Sequence, residues 1–255
     1  MDAHRDFRSG WTLYGTRSAI LDAGLRGYML RVYNWMAAGL LLTAAISYLI
    51  AETRLLDIFY PVVATVDGVQ LHAPSVLAWI AMIAPLGFVL VLSFGVNRLS
   101  LTAAQVLFWL FCATMGASLT TIFISFTQQS ILATFVVTAA TFAGMSLYGY
   151  TTNADLSRLG SFLVMGVIGL LIAMVVNIFL HSSALQFAVS AIGVLVFTGL
   201  AAFDTQRIKT DHIDFGRYMG PEIAAKRSVY DALQLYLSFI NLFMFLLQFI
   251  GLRRN

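Results

Sequence analysis

The sequence predicts an all-α protein, a polytopic membrane bundle of seven transmembrane helices. Three observations carry this expectation. Of 255 residues, 60% are hydrophobic and only 11% are charged, whereas an average soluble domain carries about 25% charged residues. The mean hydropathy is +0.85. Residues 32–51, 73–97 and 99–154 contain no charged side chain, and about 20 apolar residues suffice for a helix to cross about 30 Å of hydrocarbon. Helices suit such runs because each satisfies its own backbone hydrogen bonds, which lipid cannot do. A soluble enzyme, a nucleic-acid-binding domain and a disordered chain are excluded on the same grounds. The net charge is only +3, and a nucleic-acid footprint needs a basic cluster on one face. Cys112 is the single cysteine, so no intrachain disulfide or thiolate metal site forms.

Taken in order, residues 1–27 are polar and mixed in charge. They lack the apolar core that follows the basic start of a signal peptide. They read as a flexible N-terminal tail with a short interfacial helix around Trp11 to Leu25, leaving 28–255 as the transmembrane domain. The expected helices are 28–51, 75–97, 101–124, 131–150, 159–181, 184–204 and 229–252. The uncharged run 99–154 is too long for one span, and the polar break Thr127-Gln128-Gln129-Ser130 divides it. The 52–74 segment holds Leu56, Ile58, Phe59 and Tyr60 before Pro61, and is expected to be a loop on the membrane surface. Gly166, Gly169, Gly193 and Gly199 are expected to permit close helix packing.

Basic residues set the orientation, since cytoplasmic loops carry the excess of Lys and Arg. Arg5, Arg8, Arg17 and Arg26 lie before the first span; Arg207, Lys209, Arg217, Lys226 and Arg227 lie between the sixth and seventh. With seven spans these segments share a side, joined by Arg98 and Arg158. The N-terminus is therefore expected in the cytoplasm and the C-terminus outside, with Arg54, Arg253 and Arg254 dissenting.

Ionisable residues within spans are costly and face a bundle interior or a cavity. Asp204 ends the sixth apolar run and Asp231 opens the seventh. Asp231, Gln234, Ser238, Asn241 and Gln248 follow a helical spacing that puts them on one face, so the last helix is expected to be central or to line a cavity. Asn177, Arg31 and Asn34 add polar groups to the fifth and first spans. Plainer roles stand beside these. Asp204 has Arg207 one turn away, Asp231 suits a helix first turn, and the amides suit interhelical hydrogen bonds worth about 1 kcal/mol. Enzymatic readings are weak. Ser118, in Gly116-Ala117-Ser118-Leu119, has no following glycine, and its candidate base His181 is expected to end its span on the external side. No glycine-rich approach precedes Asp204, as an intramembrane aspartyl pair would have. The four histidines are scattered and no phosphate loop occurs, so no metal site, cofactor or enzymatic activity is expected.

Several segments resemble the transmembrane Bax inhibitor motif (Bax inhibitor-1) family, in its bacterial YccA-like branch. The first block is Tyr148-Gly149-Tyr150-Thr151-Thr152, Asp155-Leu156-Ser157 and Gly160-Ser161-Phe162-Leu163, continuing to Val176-Asn177-Ile178-Phe179-Leu180. The others are Phe203-Asp204-Thr205-Gln206-Arg207-Ile208-Lys209 and the run from Ala232 to Phe243. Tyr28-Met29-Leu30-Arg31-Val32-Tyr33 contributes from the N-terminal half. The resemblance implies a bundle with its last helix at the centre. It also implies a bacterial inner-membrane location and a role in ion homeostasis or stress response, as a pH-sensitive calcium leak in some members. The partners implied are the lipid bilayer and calcium or other cations, and not nucleic acid. The alternative it implies is a non-conducting regulator that binds a membrane-bound quality-control protease.

In the leak mechanism of the family, aspartates on the sixth and seventh helices share a proton and a basic residue near the end of the second responds to them. By position the resemblance assigns Asp204 to the first aspartate and Arg98 to the basic residue. The second aspartate's place is taken by Ser238. A hydroxyl does not oppose the Asp204 charge as a second carboxylate would, so a weaker pH response than in two-aspartate relatives is expected. Asp231, two turns from Ser238, is not counted as a replacement. Asp231, Gln234 and Asn241 remain candidate residues of the polar stripe.

Overall fold

Long uncharged runs become helices wherever a capping residue or a break interrupts them. The computed structural model describes residues 6–66, 69–95, 98–216 and 220–252. Among these, seven helices are long and apolar enough to cross a membrane. The elements in order are α1 (Asp6–Glu52), α2 (Leu55–Phe59), β1 (Val62–Val66), β2 (Val69–His72), α3 (Val76–Gly95), α4 (Leu101–Leu119), α5 (Thr121–Ser125), α6 (Gln128–Thr151), α7 (Ser157–Leu180), α8 (Ser183–Phe215) and α9 (Pro221–Ile250). The span within α1 is Gly24–Glu52, and α4 with α5 makes one span, Leu101–Ser125. Residues 1–5 of the expected tail lie outside the described residues, as do Arg217, Arg253 and Arg254 of the charge argument. The rest of the tail, expected to be flexible with a short interfacial helix, is instead helix continuous with the first span in α1.

The starts follow local chemistry. Ser100, Thr127 and Ser182 each accept a hydrogen bond from the backbone N–H three residues on, opening α4, α6 and α8. The polar break at residues 127–130 is thus a helix cap. Pro221 opens α9 at its first turn, where a missing N–H costs nothing. His181, at φ 48°, ends α7 in the left-handed conformation.

Two further expectations need correction. The 52–74 segment is no plain loop: it holds α2 and an antiparallel hairpin in which Val66 faces Val69 and Ala64 faces Leu71. The long loop expected at 207–228 is also mostly helix. α8 runs on to Phe215, and α9 begins at Pro221. These extensions carry the charges out of the apolar zone and hold each other. Arg227 pairs with Asp211 at 2.7 Å, and Lys209 and Lys226 donate to the Tyr150 and Leu99 carbonyl oxygens.

The last helix is central, as expected. α9 packs against α1, α4, α6 and α8, and Leu235, Tyr236, Leu242 and Leu247 along it are inaccessible. The Tyr236 ring meets Phe111 edge-on at 5.2 Å, and its hydroxyl bonds Thr43 at 2.7 Å. α7 packs on α8 and turns Phe162, Met165 and Phe179 outward. Close approach explains Gly193, where a Cβ would lie 2.5 Å from the Phe245 ring; Gly169 instead meets open space, so the packing role expected of it does not apply.

Candidate functional site

Asp204 lies within α8, where that helix runs beside α9, and is 1% exposed. Gln234 and Ser238 are four residues apart on α9, so both point the same way. The Ser238 hydroxyl donates to Asp204 Oδ2 at 2.7 Å. The Gln234 amide donates to Oδ1 at 3.4 Å. Arg207, one turn along α8, reaches Oδ1 at 3.7 Å and lies over the Phe203 ring. Every one of these neighbours is a donor, which is the arrangement a carboxylate anion needs. Ser238 is buried and Gln234 half-buried, whereas the Arg207 side chain is 41% exposed.

Asp231 lies one turn before Gln234 and has partners of its own. The Tyr28 hydroxyl of α1 donates to its Oδ2 at 2.5 Å. The His212 ring stacks on Tyr28 with centroids 4.2 Å apart. Asp231 is therefore no first-turn acid, standing well inside α9 because that helix starts at Pro221. No hydrogen bond joins it to Asp204 among the described residues.

A third polar cluster adjoins Asp204 along the chain. The hydroxyls of Tyr33, Ser146 and Thr205 link α1, α6 and α8: Ser146 and Thr205 are 2.6 Å apart, and Tyr33 and Ser146 3.0 Å. Thr205 also donates to the Ala201 carbonyl at 2.8 Å. Sequence reasoning did not single out Tyr28, Tyr33, Ser146 or Thr205. Three of them stand inside the motif runs that carry the family resemblance, and that position was the available signal.

The remaining candidates are placed elsewhere. Arg98 is exposed just beyond α3, a helix that packs chiefly on α4 and less on α2. Arg207 is the cation at Asp204 instead. Asn241 donates to Leu237 of its own helix. Gln248 is exposed and accepts from Ser190 at 3.4 Å, so the stripe leaves the interior at its far end. Asn177 accepts from the Ser182 N–H at 3.0 Å, closing the turn after α7. Arg31 and Asn34 are exposed. Among the described residues no three His, Cys, Asp or Glu side chains gather as a metal site. Outside the spans, the Asp155 carboxyl is held below its ordinary range by hydrogen bonds from the Ser157 side chain and N–H.

Fold and site together define a helical bundle of membrane-spanning length with a buried carboxylate clamped between its central helix and a neighbour. The family model described as "Inhibitor of apoptosis-promoting Bax1" matches residues 25–255, and the chain belongs to this Bax inhibitor-1 family. An uncharacterized protein of Rickettsia prowazekii is 44% identical over 242 residues, covering 94% of this chain and 95% of its own. The inner membrane protein YbhL of Escherichia coli K12 is 42% identical over 240 residues, covering 91% and 94%. An uncharacterized protein of Caulobacter vibrioides is 42% identical over 235 residues, covering 92% of each.

Proposed function

We propose that this protein is an inner-membrane ion-homeostasis protein of the YccA-like branch that lets calcium or another cation leak across the bilayer. Asp204 is the gating acid. The observation that carries the reading is the burial of Asp204, 1% exposed, among the donors of Ser238, Gln234 and Arg207. A carboxylate within a span is costly, and such residues mark ion pathways. The relative YbhL is named an inner membrane protein, which supports the location. The 28–255 bundle is the conducting unit, with 1–27 an N-terminal extension on the cytoplasmic side and the C-terminus outside.

The chemistry follows from the clamp. While the three donors hold Asp204, Arg207 balances its charge, the other two satisfy its oxygens, and α8 and α9 stay together. Arg207 is the releasable donor, because its guanidinium reaches water and its contact is the longest at 3.7 Å. Freed of it, the carboxylate attracts a cation into the seam between the two helices. Calcium entry into liposomes containing the pure protein tests the reading. Entry above the empty-liposome rate, lost in Asp204→Asn, is the expected result. Entry equal to that of empty liposomes at both mildly acidic and mildly alkaline pH contradicts it and favours a non-conducting regulator of a membrane-bound protease.

A further inference from the structure

We propose that the groove between α1 and α6 is a binding site for an anionic phospholipid, with its headgroup at Arg26 and an acyl chain along the apolar wall. The cavity measures about 860 Å³. It forms because α1 and α6 both pack on α9 more extensively than on each other, so the central helix supplies the floor. Phe142 and Phe239 lie at the bottom, 3% and 4% exposed, whereas Leu41 and Leu147 on the rim are 70% and 62% exposed. The groove therefore opens sideways, toward the hydrocarbon around the bundle. From Arg26 to Ala44 its α1 wall covers about 27 Å at 1.5 Å per residue. An extended acyl chain lies along such a wall without bending.

The two ends differ, and that difference selects the occupant. Arg26 lines one end and makes no ion pair among the described residues. Tyr150 lines the same end, and Lys209 donates to its carbonyl at 2.7 Å with the ammonium over its ring. A neighbouring apolar helix would leave the Arg26 guanidinium unanswered, whereas a lipid phosphate meets it. Tyr33 and Ser146 line the groove about 10 Å further along, and their hydroxyls reach that of Thr205, the residue after Asp204. This site stands independently of ion passage.

Native mass spectrometry of the purified full chain tests the proposal, with phosphatidylglycerol and phosphatidylcholine of identical acyl chains as probes. One basic residue near a membrane surface favours anionic lipid by about fivefold, so phosphatidylglycerol is expected to be retained about fivefold better. Arg26→Gln should remove that preference, and Ala143→Phe, which fills the groove from its exposed α6 wall, should reduce retention of both lipids. Ala37→Phe fills it from α1 and serves if Ala143→Phe does not fold. Equal retention of the two lipids by the unmodified protein overturns the proposal. So does undiminished retention in a folded groove-filling variant, or a lipid-free dimer that such a variant abolishes, which would show that a second copy covers the groove.

Discussion

Replacing Gly149 with alanine tests how tightly α6 is pressed against the helix that carries Asp204. Gly149 is buried, and a Cβ there would lie 2.1 Å from the Ala202 carbonyl oxygen. Ordinary contact begins at 3.4 Å, so 3.4 minus 2.1 leaves 1.3 Å to be made up by moving one helix. The obstacle is backbone, which has no rotamer to change. Overpacking of this kind costs about 1–3 kcal/mol. For a chain of about 150–250 residues each kcal/mol lowers Tm by about 2–4 °C, giving a fall of about 2–12 °C. Ala202 stands two residues before Asp204, so the same shift loosens the 2.7 Å Ser238 contact. Gly144→Ala on the same helix is the control, because nothing lies within 4 Å of its Cβ. It should be neutral or stabilising by up to about 1 kcal/mol, as alanine is the better helix former. Thermal unfolding in detergent measures both. If Gly149→Ala melts as high as Gly144→Ala, the close approach of α6 and α8 is refuted.

Gln234→Leu should lower Tm more than Asn241→Leu, since Gln234 bonds the buried Asp204 while Asn241 bonds only its own helix. An unmet buried partner costs about 1–3 kcal/mol, and equal melting of the two variants would count against the clamp. Topology is open to an impermeant thiol reagent: with Cys112 fully buried, Glu222→Cys offers one exposed thiol. It should react only after the membrane is permeabilised, and labelling in intact cells would reverse the orientation.

The spans were legible because hydropathy reports directly on length in lipid. Hydropathy does not report where a helix ends in water. Asp211 and Asp214 interrupt the apolar run yet suit a helix surface, so the extensions of α8 and α9 went unseen. The hairpin carried a signal in Asp67-Gly68 between the Val62–Val66 and Val69–His72 runs, a strong turn pair. The apolar and aromatic residues before Pro61 suit a segment on the membrane surface equally well. At the site, Asp204 and Ser238 could be set side by side because the family motifs fix both helix positions. Tyr28 could not be paired with Asp231, since the two are separated by 203 residues and neither helix spacing nor motif links them. The surroundings of Arg98 were hidden for a related reason. Its position near the end of α3 is visible in sequence, but that α3 packs chiefly on α4 is a property of the fold.

The most direct test of the gate is calcium flux against pH in the unmodified protein and in Ser238→Asp. The substitution places a second carboxyl where a hydroxyl now lies 2.7 Å from Asp204. Two carboxyls so close do not readily ionise together, so the pair responds to pH where a carboxylate beside a hydroxyl does not. A shallow flux–pH curve is expected for the unmodified protein and a steep one for Ser238→Asp, with the steepness removed by a further Asp204→Asn change. A flat curve for well-folded Ser238→Asp, or a steep one for the unmodified protein, would contradict the assignment of Asp204 and Ser238 to the gate.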